Sequence, residues 1–460
     1  MRQRRKLTAV SLLFFPFLLP AQESPQLAAI LERLDRLEQD NRQLSAEVQE
    51  LRSQLAAVRG DAPSTQGASP ETAAQSPADA PPADLAGQVA IQASRIDEMA
   101  QSKVEGSQKF PIRLTGMALF NAFADSHQSG GADYPVVASA TGPGHAGANV
   151  RQSIIGLEFR GPQSIWGGQV HGSVYMDFFS GNLPLSQTMR IRTGSIEVDW
   201  ATRNVMVGLE KPIFNPREPS SLAQVGLSPL TGAGNLWLWI PQVRVEQDFA
   251  WAHQTGLRAQ MGVVQTREVG PYAGSTSTPN AEPARPGLEG RYEVYHKFDD
   301  ERRIEIAPGF HVSTTHAGGF SIPSQVFSLD WFANPIRWLE FTGAYYHGQN
   351  VALLGAGYRQ GFGIYQNEAE AVHSQGGWAQ FTIHALPRLD VHLFSGQQDD
   401  HNSDLAAGDI GKNLLFGGNL YFRIAPNVLL GPEISQVRTI YLGQGTRLNN
   451  HYDLALAYLF

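Results

Sequence analysis

The residue types that carry out covalent catalysis occur in this sequence, but not at the spacings that catalysis requires. The chain contains no cysteine, no G-x-S-x-G motif and no H-E-x-x-H motif, so it lacks a thiol nucleophile and the sequence marks of serine hydrolases and zinc peptidases. The stretch "GPGHAG" from residue 142 matches G-x-G-x-x-G, yet it lies in a predicted long loop with no helix behind it to receive a phosphate. The sequence therefore predicts no nucleotide site.

His451 and Asp453 lie two positions apart near the end of the chain and would supply half of a hydrolase site. Such an alternation is, however, more typical of polar lining on one face of a strand. The 13 histidines are scattered without the short spacings that zinc sites use. We predict that the protein is not an enzyme and that it holds neither a metal ion nor another cofactor.

Charge and composition exclude two further classes of protein. The formal net charge is -8, which gives no basic surface for nucleic acid. After the N-terminal segment there is no apolar run of about 18 residues, which a membrane-spanning helix needs. The 46 glycines and 28 prolines suit a turn-rich chain of β-strands, and a β-barrel hides its apolar residues in alternation.

Several arginines are spaced so that they would form a basic ladder suited to carboxylates. Arg190 and Arg192 are two residues apart and share one face of a strand. Ile196 and the apolar residues after it have the same parity, so a bulge near Gly194 is needed to keep both arginines out of lipid. With such a bulge, we predict that both arginines line the channel.

Two further stretches supply candidate lining residues. In "PQVRVEQDF", Arg244 and Glu246 fall on the face opposite the valines and are predicted to face the lumen. The long segment "KPIFNPREPSSLAQVGLSPLTGAGNLWLW" carries Arg217 and Glu218, which would line a constriction if the segment folds inward. The alternative is an external loop that packs on a neighbouring subunit.

The elements that must hold these residues are strands of about ten residues with period-two alternation. Apolar residues recur on one parity and polar residues on the other, which predicts a sheet with one apolar and one polar face. The clearest apolar sets are Ile155, Leu157 and Phe159; Val205, Val207 and Leu209; Phe327, Leu329 and Trp331; and Leu389, Val391 and Leu393.

Short and long connections alternate between the predicted strands. Tight turns are predicted at stretches such as "GPQS" from residue 161, "ATRN" from 201 and "APN" from 425, and long loops rich in Gly, Ser and Pro lie between them. Seven short turns and eight longer loops would join about sixteen strands. The sequence thus predicts an all-β transmembrane barrel over residues 110–460, closed so that no edge meets hydrocarbon.

The N-terminal third is predicted to be helical and separate. Residues 1–21 combine a basic start with an apolar run, as in a signal peptide. Residues 26–59 keep an apolar heptad repeat whose single polar core residue is Asn41, which favours a self-associating coiled coil. Arg33 and Glu38, in "RLDRLE", resemble a short trimer signature, whereas an asparagine in the core is often a dimer signal.

Two segments connect the coiled coil to the barrel. Residues 60–83 are rich in Pro, Ala, Ser and Gly and are predicted to be a disordered linker, because they cannot bury enough apolar surface. Residues 84–105 carry a second, short helical pattern.

This order of segments resembles the trimeric outer-membrane porins of Gram-negative bacteria, in particular the DcaP-like group with an N-terminal periplasmic coiled coil. The features that carry the resemblance are "KFPIRLTGMALFNAFAD" at the start of the barrel, "MRIRTGSIEVDW" within it, and a terminal phenylalanine. The resemblance implies a sixteen-stranded homotrimer in outer-membrane lipid that passes small solutes, with small anions such as dicarboxylates favoured. It also implies that the final strand, with Tyr458 and Phe460, is the signal recognised by the barrel-assembly machinery.

The sequence therefore predicts a porin in the cell outer membrane, with its coiled coil in the periplasm, for passive diffusion of small hydrophilic solutes. An envelope-tethering or adhesion protein built on a trimeric barrel is the alternative, motivated by the coiled coil and the long loops.

Overall fold

The computed structural model describes residues 112–180, 187–271, 275, 277–283, 285–358, 360–365 and 368–460, with the backbone alone at 162–165. The signal peptide, coiled coil, linker and short helix predicted within residues 1–105 lie outside these ranges. So do Arg33, Glu38 and Asn41, and all of these stay predictions.

The described chain is almost entirely antiparallel β-structure. Its strands are β1 Ile112–Asp125, β2 His145–Asn149, β3 Ile154–Ile165, β4 Gly168–Ser180, β5 Thr188–Trp200, β6 Arg203–Glu210, β7 Ile240–Ala252, β8 Thr255–Gln265, β9 Pro286–Lys297, β10 Arg303–Ala317, β11 Phe320–Ile336, β12 Leu339–Gln349, β13 Phe362–Tyr365, β14 Glu368–Ala371, β15 His373–Leu386, β16 Leu389–Asp400, β17 Ile410–Ala425, β18 Val428–Tyr441 and β19 Gly445–Leu459. Two single 3₁₀ turns, Val351–Leu354 and Asn402–Asp404, interrupt the loops. No helix among the described residues is long and apolar enough to cross a membrane.

Seventeen strands form one sheet, which closes because β1 pairs with β19. The short β2 pairs with the second half of β1 and β3 pairs with the first half, so these two strands share one position in the barrel. The seventeen strands therefore fill sixteen positions. This confirms the predicted strand number, and the remaining pair, β13 and β14, forms a separate hairpin in a loop.

The apolar parity of the strands faces outward. On β19, Tyr452, Leu454, Leu456 and Tyr458 are 45–50% exposed, whereas Ala455 and Ala457 between them are fully buried. The same arrangement recurs around the barrel. A continuous apolar belt of this kind is what a lipid-facing wall requires, and water-soluble monomers rarely expose one.

One predicted turn was wrong in position. The stretch "GPQS" belongs to β3, and the chain reverses instead at Trp166 and Gly167. Both residues have positive φ angles, 46° and 79°, as a two-residue turn with the strands' right-handed twist requires. Register shifts between Arg160 and Ile165 absorb the extra residues.

Pro308 and Pro432 lie inside β10 and β18, which keep their register on both sides of each proline. Pairing of β10 with β9 stops at Ile306 and resumes in the same register at Gly309. Pro432 has a similar gap on the side facing β17. A proline removes one ladder donor, and a long barrel strand tolerates that local loss.

Candidate functional site

The segment 211–239, which joins β6 to β7, folds into the barrel and is called the inner loop here. Of its residues, Ile213, Phe214, Leu230, Ala233 and Leu236 are at most 1% exposed. An external loop would leave such side chains in water, so the prediction of an inward-folded segment is supported by its packing.

Polar groups of the barrel wall hold the inner loop along its length. The backbone of Ile213 donates to Glu289 on β9 at 2.7 Å, and Ser221 donates to Glu433 on β18 at 2.6 Å. Gln152, between β2 and β3, accepts from the N–H groups of Val225 and Gly226 at 2.7 Å. The loop thus touches widely separated strands around the lumen, and this pattern narrows the passage.

Arg217 is the main charged anchor of the inner loop. Its guanidinium donates to Asp330 at 2.5 Å and to Glu305 at 2.7 Å, and contacts Glu293 at 3.3 Å. Arg291 shares two of these carboxylates, with Nε 2.7 Å from Asp330 and Nη2 2.6 Å from Glu293. Arg217 therefore acts first as a tether to β9, β10 and β11, and its predicted role in lining the constriction stays a prediction.

Glu218, the other residue predicted in this segment, pairs with Lys211 at 2.7 Å. Both side chains keep partial exposure, 22% for Glu218 and 38% for Lys211. The predicted role of Glu218 in lining the constriction stays a prediction.

Arg190 and Arg192 come together on the side of β5 that faces the inner loop, and their predicted role in lining the channel stays a prediction. Met189 and Ile191 are 55% and 57% exposed on the outer face, so Arg190 between them and Arg192 after them point inward. A register shift leaves Arg192 without a partner on β4, because Thr193 pairs with Tyr175 and Ile191 with Met176. The predicted irregularity near Gly194 is thus present, two residues away.

Asp177, which sequence reasoning missed, neutralises part of this arginine pair. Its carboxylate lies 2.8 Å from Arg190 Nε and 2.9 Å from Arg192 Nη1, and the residue is fully buried. Both guanidinium groups also donate to inner-loop carbonyls, Arg192 to Val225 at 2.6 Å and Arg190 to Gly226. Two positive charges against one negative charge leave a net positive site.

The arginine pair borders a cavity of about 570 Å³ between the wall and the loops. Its charged lining residues are Arg190, Arg192, Arg267 and Glu268, and its aromatic ones are Trp237, Trp239 and Tyr358. Trp239 stacks against the guanidinium of Arg192, with 4.5 Å from the Arg192 Cζ to the ring centroid. The cavity can accept a small anion with some apolar surface.

Arg244 and Glu246 lie on the inner face of β7, closer to the β5–β6 turn than Arg190 and Arg192 are. Val243 and Val245 beside them are 49% and 46% exposed on the outer face. Glu246 contacts Arg258 of β8 at 3.3 Å. Charges of both signs therefore occupy this part of the wall.

His451 and Asp453 serve the architecture of the barrel. His451 Nδ1 lies 2.9 Å from Asp125 on β1, and Asp453 accepts from Asn121 at 3.1 Å. His451 and Asp453 therefore tie the last strand to the first.

In the loop after β1, desolvation raises the pKa of the Tyr134 phenol and the charge of Glu433 raises it further, so this residue stays neutral.

No protein-family profile matches the chain, and no curated protein matches it. Among solved structures, it is similar to the outer membrane channel DcaP of Acinetobacter baumannii, with 15% identity and a TM-score of 0.64 over 76% of this chain and 97% of that chain. It is also similar to an anion-selective porin from Comamonas acidovorans, with 10% identity and a TM-score of 0.49 over 76% of this chain and 100% of that chain.

A further similar structure is OprB of Pseudomonas putida, with 11% identity and a TM-score of 0.47 over 76% of this chain and 94% of that chain. The last two scores are too low to carry an argument. The similarity to DcaP shows the fold, and at that level the resemblance drawn from the sequence is confirmed.

Proposed function

We propose that this chain, a closed barrel with the fold of an outer-membrane channel, is a porin of the cell outer membrane through which small hydrophilic solutes diffuse. The observation that carries the proposal is the combination of an apolar outer belt with a polar lumen narrowed by the inner loop. A lumen with fixed charges at its narrowest part selects solutes by size and charge.

We also propose a preference for small anions, with dicarboxylates as the first candidates. Arg190, Arg192 and Arg267 border one cavity, which one carboxylate, that of Glu268, also lines. Asp177 is the one carboxylate among the described residues within 4.0 Å of the first two arginines. Planar guanidinium groups match carboxylates in shape and charge. Arg244, Glu246, Arg217 and Glu218 are proposed to set the charge of the remaining passage.

The working unit is proposed to be a homotrimer that the barrel-assembly machinery inserts into outer-membrane lipid, with the coiled coil in the periplasm. The alternative of an envelope tether or adhesin is motivated by the predicted coiled coil, which lies outside the described residues. A barrel with fixed charges in its lumen and an inner loop that narrows the lumen does not favour this alternative.

Uptake into liposomes tests the function and the preference together. Liposomes containing the purified full chain should take up small dicarboxylates faster than neutral sugars or amino acids of similar size. Equal rates for all solutes would contradict the anion preference, and no uptake of any solute would contradict the porin function.

A further inference from the structure

Four polar side chains converge on the inner wall where β4, β5 and β6 approach the short turns. His171 on β4 stands directly opposite Glu197 on β5, and Asp199 on β5 stands opposite Asn204 on β6. Glu197 and Asp199 are two residues apart and so share a face, which is the face opposite the exposed Ile196. The cluster therefore faces the lumen near the Trp166–Gly167 turn.

Each ring nitrogen of His171 faces one of the two carboxylates. His171 Nδ1 lies 3.2 Å from Asp199, and His171 Nε2 lies 3.6 Å from Glu197. One ligand atom from each of the three residues falls within 4.8 Å of the others. A tetrahedral ion with bonds of about 2.0–2.2 Å holds its ligand atoms about 3.3–3.6 Å apart, so one ring nitrogen and the two carboxylates must draw together to bind it.

Asn204 brings the two carboxylates to the same point. Its Nδ2 donates to Glu197 at 3.0 Å and to Asp199 at 2.5 Å, while its Oδ1 is buried without a hydrogen-bond partner in the described part of the chain. A rotation of the Asn204 amide by 180° would place its oxygen, instead of its nitrogen, beside the two carboxylates. That arrangement is unfavourable without a cation, because three acceptors then face one another, and it becomes favourable around a bound cation.

The charge of the cluster is poorly compensated by protein groups. Among the described residues, neither Glu197 nor Asp199 has a lysine or arginine within 4.0 Å, and His171 is the basic partner of both. Arg160 faces His171 across the β3–β4 pair but makes no ion pair with these carboxylates. Two neighbouring carboxylates with one imidazole favour a bound cation.

We propose that His171, Glu197 and Asp199 form a lumen-wall binding site for a divalent transition-metal ion of the zinc class. Imidazole nitrogen with carboxylate oxygens is a donor set that zinc accepts. The side chains of His171, Glu197 and Asp199 are 34%, 21% and 44% exposed, so an ion reaches them from the lumen. The site goes beyond solute passage and does not depend on it.

The sequence prediction of no metal site was based on spacing along the chain. Here the donors come from neighbouring strands, so residues 26 positions apart stand side by side, as His171 and Glu197 do. Period-two alternation on β5 supplies the third ligand. Sequence spacing alone does not reveal a site of this kind.

A second histidine provides a matched control within the same barrel. His384 also lies between two carboxylates, with Nδ1 2.7 Å from Asp390 and Nε2 3.4 Å from Glu340. In the described structure no amide joins these two carboxylates, and they do not meet the spacing that the first cluster meets. Because the carboxylates beside His384 do not converge on one point, we expect His384 not to bind the ion.

Titration of the purified full chain with Zn²⁺ by calorimetry, and with Co²⁺ by visible absorption, tests the proposal. We expect one ion per chain at this site, lost in both His171→Ala and Glu197→Gln, and retained in His384→Ala. Asn204→Ala, which removes a group that orients the ligands, should weaken Zn²⁺ binding by about 10–100-fold.

Circular dichroism and heat-modifiable migration of each variant show that the barrel is folded before binding is compared. Absence of Zn²⁺ and Co²⁺ binding by the folded wild-type chain would overturn the proposal. Undiminished binding by folded Glu197→Gln and His171→Ala would overturn it as well. Because binding is measured directly, a non-conducting channel would leave this result unaffected.

Discussion

At the residue scale, the barrel uses charged side chains for two different tasks. Arg217 is surrounded by carboxylates of the wall, with 15% of its side chain exposed, and holds the inner loop. Arg190 and Arg192 share one buried carboxylate and keep a net positive charge beside a cavity. The sequence pattern predicted that Arg190 and Arg192 face inward. It could not reveal the carboxylates that pair with the arginines, because Asp177 and Asp330 come from other strands.

Replacing Asp177 with asparagine should increase the anion selectivity of the channel. The substitution removes the carboxylate within 3 Å of both arginines and leaves the shape of the side chain nearly unchanged. The reversal potential in a KCl gradient should move towards the chloride equilibrium potential. An unchanged reversal potential would show that Arg190 and Arg192 do not contribute to selectivity.

Replacing Arg217 with methionine should loosen the inner loop. Three wall carboxylates lose a shared guanidinium, and breaking such a partly buried network costs about 3 kcal/mol. Urea unfolding should show this loss, and single-channel conductance should rise as the loop leaves the wall. Arg217→Lys keeps the charge but not the forked geometry, so its stability and conductance should lie between those of the wild type and Arg217→Met. A wild-type conductance in Arg217→Met would contradict the role of Arg217 as a tether.

At the element scale, the strands were predicted well and the loops were not. Alternation fixes which side chains on β5, β7 and β19 face outward, because a one-residue slip would bring polar groups into lipid. The path of residues 211–239 depends on contacts with distant strands, such as the Ser221 bond to Glu433. No local pattern encodes such contacts, so the inner loop was predicted only as one of two alternatives.

Gly234 lies where the inner loop packs directly against the wall. Its φ is +97°, and a side chain there would meet the carbonyl oxygens of Gly377 and Gln397. Gly234→Ala should therefore displace the loop and its packed Leu230 and Ala233. Single-channel recording should show larger and noisier openings.

Gly270→Ala is the control for this substitution, because no atom of the described residues lies within 4 Å of the added carbon. It should leave the openings unchanged. Identical traces for both variants would contradict a close approach of the inner loop to β15 and β16.

At the scale of the whole molecule, the barrel depends on its two ends. Gly116 and Phe460 exchange backbone hydrogen bonds of 2.9 and 3.1 Å, and β1 pairs with β19 in register from Met117 to Asp125. This closure removes the last free sheet edge. The terminal aromatic residue, predicted as an assembly signal, therefore also lies at the seam of the barrel.

Phe460→Ala should lower the yield of assembled protein more than it changes conductance. Tyr452→Ala, which removes another outward aromatic residue from the same strand, is the matched control and should assemble better. Heat-modifiable migration of the membrane fraction measures the yield. Equal yields for the two variants would count against a special role for the last residue.

The most direct test of the central claim is the conductance of the purified wild-type chain in a planar bilayer. We expect stable, stepwise openings, grouped in threes for the proposed trimer, with reversal potentials displaced by a KCl gradient towards chloride. A bilayer that stays silent after verified insertion of folded protein would contradict the account of an open lumen narrowed by the inner loop.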